Sequence, residues 1–304
     1  MNKIDLHVHT TMSDGTKTPK EVLVEAEKMG LEVIAITDHE SVDAYPEIEK
    51  NRNLFSGTII PGIELKTVCM GKEIELLGYG ISIDKMKEKI SKLYKSKEEI
   101  NRGYLHAIVK VLRANDIILP DDIEELYNNI TGTQPAWFVR DEMNKAAAEH
   151  NKDVLYNKDR IEHGPKEGIY RGWFTNPESK FYVKYSAYPS YQEVIELIKE
   201  CDGKVFIPHI YQYKEYSEKI LKELLNTGEI TGIECFYPTF TKEQTDYLLN
   251  ICNENNFSIS GGSDYHGENK VNRLGTGIDN NLYVPSECVE EWINKESNVL
   301  KKIK

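Results

Sequence analysis

Over about the first eighty positions, short apolar runs alternate with segments of helical period. Ile4 to His9 reads as a strand, followed by a polar turn and a helix from about Pro19 to Met29. Thr18 is suited to cap that helix, Pro19 to its first position and Glu21 to the answering place of a capping box. Gly30 ends it, and Glu32 to Thr37 is a continuous apolar strand. Thr58–Glu64 and Ile74–Gly78 continue the series, and short buried runs separated by helices predict a parallel sheet or barrel.

The pattern changes near Asp84. From Met86 to Leu112 apolar residues recur at helical spacing and predict one long amphipathic helix, closed by Asn115 and Asp116. The stretch to about Ser186 holds helical patches and a Gly-, Asn- and Lys-rich aromatic loop, Tyr156 to Trp173, with no convincing apolar run of the parallel-strand kind. Strand–helix alternation then resumes: a helix near Tyr191–Glu200, strands at Lys204–Pro208, Gly232–Phe236 and Phe257–Gly261, and a helix over Lys242–Asn253. The expected organisation is an α/β domain from 1–85 and 187–290, an inserted helical subdomain at 86–186, and a C-terminal tail at 291–304 that reads as a peripheral helix.

Composition narrows the classes. The 304 residues are 39% hydrophobic, enough to bury a core without covalent staples, and no run approaches the ~18 apolar residues of a membrane span. The N-terminus lacks the apolar run of a signal peptide, and five cysteines (69, 201, 235, 252 and 288) form no C-x-x-C pair. Reduced thiols acting as small buried hydrophobes, in a cytoplasmic protein, are the expectation. With 38 Lys+Arg against 50 Asp+Glu the net charge is −12, which argues against a duplex-binding protein. An anionic substrate stays open, because bound divalent cations reverse the local sign.

Five of the eight histidines fall at the ends of apolar strand runs. His7 and His9 occupy alternate positions and share a face, His39 follows the second strand, His209 a later one, and His266 closes Gly261–His266 two residues after Asp264. Asp14, Glu64 and Glu75 occupy the same class of position. In a (β/α) barrel the C-terminal strand ends converge on one face, and imidazoles with carboxylates gathered there are ligands for several divalent metals. So many buried polar groups would be costly without a compensating partner. His106, His150 and His163 lie in the expected insertion and read as surface residues.

Asp5-Leu-His-Val-His-Thr with Ser13-Asp-Gly, Ile36-Thr-Asp-His, Pro61-Gly-Ile-Glu, Leu76-Leu-Gly-Tyr, Pro208-His and Gly262-Ser-Asp-Tyr-His-Gly together resemble the PHP (polymerase and histidinol phosphatase) family over roughly 1–85 and 187–280. The order, with a helical insertion after the Leu-Gly-Tyr strand, is similar to small bacterial metal-dependent phosphoesterases. The resemblance implies a distorted (β/α)7 barrel and hydrolysis of a phosphoester by a metal-bridged hydroxide at a di- or trinuclear centre of manganese, iron or zinc, with magnesium also admissible. It implies one metal on His7, His9, Glu64 and Asp264, a second shared through Glu64 with His209 and the residue at 75, and a third on Asp14, His39 and His266. Glu64, Asp264 and His209 are the implied catalytic set, and Asp38 reads either as an orienter of its neighbour His39 or as an ordinary turn or N-cap residue.

The family has a histidine where this chain has Glu75. A carboxylate there is harder and lowers the charge of the centre by one, which predicts a shift from zinc toward manganese, iron or magnesium. In nucleotide-acting relatives the insertion carries an Arg and a His that meet the substrate phosphate; the matching stretch here, Thr133 to Trp137, places Gln134 and Ala136 at those positions. Gln134, Arg140 and Arg171 are the candidate substrate-binding residues, Lys184 is a further cation, and Trp137 and Trp173 are read as core. The expected ligand is a small phosphorylated metabolite or nucleotide, without duplex nucleic acid or membrane. A histidinol-phosphate-type phosphatase and an inactive metal-binding module are the alternatives.

Overall fold

The structure is a computed structural model that describes residues 4–130, 135–147 and 170–293. The chain divides into two compact units, 1–94 with 188–304 and 95–187.

The first unit is built on seven strands in the order β1 (Ile4–Val8), β2 (Val33–Ile36), β3 (Thr58–Cys69), β4 (Lys72–Tyr79), β5 (Lys204–Ile207), β6 (Gly232–Phe236) and β7 (Ser258–Gly261). β7 returns to β1 through a parallel bridge between Val8 and Tyr265, where the His9 amide donates to the Tyr265 carbonyl at 2.8 Å, so the barrel is nearly closed. That seam requires glycine: a Cβ on Gly262 would stand 2.3 Å from the Cβ of His7. The expected all-parallel arrangement is corrected at one place. β3 and β4 form an antiparallel hairpin, and β4 is antiparallel to β5 as well. The reversal is made by Met70 and Gly71, both at positive φ (51° and 75°), as a two-residue hairpin turn demands.

The helix α1 (Pro19–Met29) has the capping box expected of Thr18 and Glu21 and ends at Gly30 in the left-handed conformation. Val22, Leu23 and Ala26 line its buried face, at the spacing the sequence predicts. A short helix α2 (Tyr45–Lys50) brings the Tyr45 hydroxyl onto the Ile36 carbonyl at 2.7 Å, bracing the end of β2. The single long helix expected over 86–112 is two helices, α3 (Ile83–Leu93) and α4 (Lys97–Arg113). Ser96 starts α4 with a capping box completed by Glu99, a polar signal inside an apolar period that continues across the break. The chain passes between the two units at this break, so α3, expected to belong to the insertion, groups with the barrel unit.

The second unit packs α4, α5 (Ile123–Asn128), α6 (Pro135–Ala147) and a single π-helical turn (Tyr170–Phe174) around its own core, which includes Leu105, Ile108, Val109, Phe138, Val139, Phe174 and Phe181. Back in the barrel unit follow α7 (Tyr191–Glu200), α8 (Ser217–Leu225), α9 (Lys242–Asn255) and α10 (Ser286–Ile293). At the described end of the chain, α10 is anchored to the barrel by one side chain. Trp292 is buried, stacks on Tyr79 at 5.4 Å, meets Phe206 at a tilt at 5.0 Å, and donates its indole N–H to the Ile259 carbonyl. Cys69, Cys201, Cys235 and Cys252 are buried and form no disulfide among the described residues. No described helix is long and apolar enough to cross a membrane.

Candidate metal centre

The alternation of β1 sends Asp5 and His7 to one face, and His9 just beyond the strand joins them; all three are buried. Glu64 enters from β3, Glu75 from β4, and His39, His209, Asp264 and His266 from the segments that follow β2, β5 and β7. Asp14 rises from the turn after β1. All nine sequence-predicted ligands therefore arrive in one place.

Three groups of potential ligand atoms, each within 4.8 Å of one another, can be drawn among them: His7, His9, Glu64 and Asp264; His9, Asp14, His39 and His266; and His39, Glu64 and Glu75. Glu64 lies at the centre. Its Oε2 is 3.2 Å from both His7 Nε2 and His9 Nε2 and 3.4 Å from His39 Nδ1, while its Oε1 is 2.8 Å from His209 Nε2. Glu75 turns inward, with Oε2 3.4 Å from His209 Nε2 and Oε1 3.8 Å from His39 Nδ1. Asp14 stands 3.1 Å from His266 Nε2. Among the described residues, His7 Nε2, both nitrogens of His9, His39 Nδ1 and His266 Nε2 are buried and have no hydrogen-bond partner. Lone pairs desolvated in this way, beside acidic oxygens, fit a divalent cation.

The electrostatics match. Burial opposes a charge on His7 and His9, yet Glu64 and Asp264 outweigh it, joined by Glu234 at His7; His7 is held well above the usual imidazole range and His9 at about 9. Burial also opposes the charges of Glu64 and Asp264, but the imidazoles pull both carboxyls well below their usual range. His39, in contrast, is driven down to about 4, chiefly by burial. Burial and the neighbouring Glu64 lift Glu75 to about 7. Protons thus occupy places that cations would take from them.

Buried carboxylates and hydroxyls support this cluster from behind. Asp38 does not orient His39 by any hydrogen bond described; it accepts from the Thr10 amide, the Thr10 hydroxyl and the Ser13 hydroxyl at 2.7, 2.7 and 2.6 Å, holding the turn that carries Asp14. Glu234, fully buried on β6, was not singled out. Its Oε1 accepts from His7 Nδ1 at 2.9 Å and its Oε2 from the His209 amide at 2.7 Å, so one carboxylate sets the His7 tautomer and the approach to His209. Asp5, also buried, accepts from the Ser263 amide and hydroxyl and the Gly275 amide, fixing the segment that bears Asp264. Tyr237 and Lys270 both donate to Asp264 Oδ2, at 2.8 and 2.6 Å. A carboxylate in the middle of an otherwise apolar strand, as in Gly232–Phe236, was the available signal for Glu234. His209 and Asp264 lie at positive φ, 25° and 54°, a backbone strain that such support sustains.

The substrate-binding candidates are not placed in this cluster by any described contact. Gln134 lies outside the described residues, as do His150, His163 and the side chain of Arg171. Arg140, on α6, is paired with Asp141 at 2.8 Å and lies over the Trp137 ring at 4.6 Å. Trp137, expected in the core, is 47% exposed; only its neighbours Ala136 and Phe138 turn inward. Trp173 does pack on Phe181, Lys184 is exposed, and His106 is a surface residue paired with Glu124.

A family model described as "PHP domain" matches residues 5–235. The chain is 23% identical over 266 residues to the phosphoribosyl 1,2-cyclic phosphate 1,2-diphosphodiesterase of Eggerthella lenta, covering 87% of this chain and 94% of that one. It is 23% identical over 280 residues to a 5'-3' exoribonuclease of Haemophilus influenzae, covering 91% and 94%. Among solved structures, one from Bifidobacterium adolescentis assigned as a metal-dependent phosphoesterase superposes with a TM-score of 0.57 at 22% identity, covering 96% of this chain and 94% of that one. An amidohydrolase from Chromobacterium violaceum, with sulfate bound, gives 0.60 at 18% identity, covering 98% of each.

Proposed function

The chain belongs to the PHP domain family, and on that premise we propose that it is a metal-dependent phosphoesterase whose centre is the strand-end cluster around Glu64. The observation that carries this reading is the set of buried imidazole nitrogens without partners, turned onto Glu64, Asp264 and Asp14. His7, His9, Glu64 and Asp264 would hold one cation, Glu64, Glu75 and His209 a second, and Asp14, His39 and His266 a third. Divalent cations held by these residues would supply Lewis-acid polarisation of a phosphoryl oxygen and a water acidic enough to lose its proton near neutrality.

The chain's own residues prepare the site. Glu234 fixes His7 with Nε2 facing the centre, and the Asp264 carbonyl does the same for His266 by accepting from its Nδ1 at 2.9 Å. Tyr237 and Lys270 occupy Asp264 Oδ2, leaving Oδ1 to face His7 and His9. Glu75 adds a hard anionic oxygen where an imidazole would be neutral, which favours manganese, iron or magnesium over zinc.

The substrate class supported by the relatives is a small phosphate ester of ribosyl or nucleotide type, with an RNA end within that class. The test is turnover of a panel by manganese-loaded protein: a ribose 1,2-cyclic phosphate, a 3',5'-bisphosphonucleotide, a short single-stranded RNA and histidinol phosphate. Turnover of a ribosyl or nucleotide ester is the expected result. Turnover of histidinol phosphate alone would replace the substrate class, and turnover of none with any divalent metal would overturn the enzymatic reading.

A further inference from the structure

Glu64, Lys66 and Glu75 form a set that the metal cluster does not use up. Lys66 follows Glu64 by two positions on β3, so the alternation of the strand puts both side chains on one face, while Leu65 between them is fully buried. Across the hairpin Lys66 is in direct register with Glu75, and directly opposed residues on one face stand about 5 Å apart at Cβ. The backbone of Lys66 is held at both ends. Its amide donates to Glu40 Oε1 at 2.8 Å, and its carbonyl accepts from the Tyr94 hydroxyl at 2.7 Å. The ammonium differs from its backbone: among the described residues it has no hydrogen-bond or ion-pair partner, although the side chain is half-buried and Glu40, Glu75 and Asp14 are its acidic neighbours.

We propose that Lys66 is a substrate-binding residue that takes an anionic oxygen of the phosphate ester and restores the positive charge that Glu75 removes from the centre. The proposal rests on the phosphoesterase reading above. Lys270, the lysine bonded to a ligand carboxylate, is occupied by Asp264, and Arg140 by Asp141. A lysine on a paired strand, braced through its backbone and keeping its ammonium free of a close partner, is suited to an incoming anion as a compact point charge.

The test uses full-length protein loaded with manganese and probed with inorganic phosphate by calorimetry, beside Lys66→Met and Lys66→Arg, with metal content measured on each. Loss of one charge-assisted contact corresponds to about a 10- to 100-fold weaker affinity. The expected result is a loss of that size in Lys66→Met at unchanged metal content, with most of the affinity recovered in Lys66→Arg. Equal phosphate affinity in Lys66→Met and wild type, or a fall in metal content in Lys66→Met, would overturn the proposal. Failure of the wild type to bind phosphate at all would instead overturn the phosphoesterase reading, and is seen before any variant is made.

Discussion

Glu75→Gln separates the two things Glu75 does. Its side chain is 22% exposed, and burial with the charge of Glu64 carries its pKa to about 7, against 4.5 for an ordinary glutamate. A carboxyl whose pKa is raised on folding binds its proton more tightly in the folded state. Its contribution to stability is therefore greatest below pH 4.5 and is lost as pH rises through 7. The gap of about 2.5 pH units, at about 1.36 kcal/mol each, makes the loss about 3 kcal/mol at pH 8 and under about 1 kcal/mol at pH 5. Glutamine keeps the shape and cannot ionise. Metal-free Glu75→Gln should therefore be more stable than metal-free wild type at pH 8 by up to about 3 kcal/mol, the difference shrinking toward pH 5. With manganese present the order should narrow or reverse, because the variant has lost an anionic ligand. Urea unfolding after chelation at pH 5, 6, 7 and 8, repeated with manganese, reads both effects. A metal-free variant less stable than wild type at pH 8, or a difference that does not change with pH, would show that folding does not raise the Glu75 pKa.

With His7 well above the usual imidazole range and His9 at about 9, both carry protons at pH 7 in the metal-free protein; metal uptake there should release about two protons and strengthen as pH rises toward 9. Calorimetry in buffers of different ionisation heat counts them, and uptake without proton release would contradict the electrostatic account. Glu234→Gln should weaken metal binding by about 10- to 100-fold while the protein stays folded, since the carboxylate that orients His7 and receives the His209 amide is gone; unchanged affinity would count against its role. Gly262→Ala must move the β7–β1 seam to relieve a 2.3 Å approach to His7, at a cost of about 1–3 kcal/mol. Thermal melting tests it, and an unaltered midpoint would show that the seam yields freely.

The strand-end ligands could be read before the fold because strand alternation and strand ends are local properties. His7 and His9 two apart, His39 directly after an apolar run, and Asp264 with His266 two apart each announce a shared direction. The β3–β4 hairpin could not be read in the same way. Its turn is Met70-Gly71 rather than Asn-Gly or Asp-Gly, and both flanking runs are buried enough to look like parallel strands. That misreading hid the register of Lys66 with Glu75, although Glu75 itself stood out. Glu234 and Asp5 were overlooked because their partners, His7, His209, Ser263 and Gly275, are distant in sequence, and only the closing of the barrel brings them together. The break between α3 and α4 was written in Ser96 and Glu99, but the apolar period on either side is continuous and outweighed it.

If ester hydrolysis belongs to cations held around Glu64, the residue central to the cluster, it depends on both the metal and that carboxylate. The decisive measurement is the rate at which manganese-loaded protein cleaves a generic phosphodiester, followed through chelation and manganese re-addition beside Glu64→Ala. Turnover should disappear on chelation, return with manganese and fall in Glu64→Ala by at least about a thousandfold. Turnover that survives both chelation and Glu64→Ala would contradict that dependence.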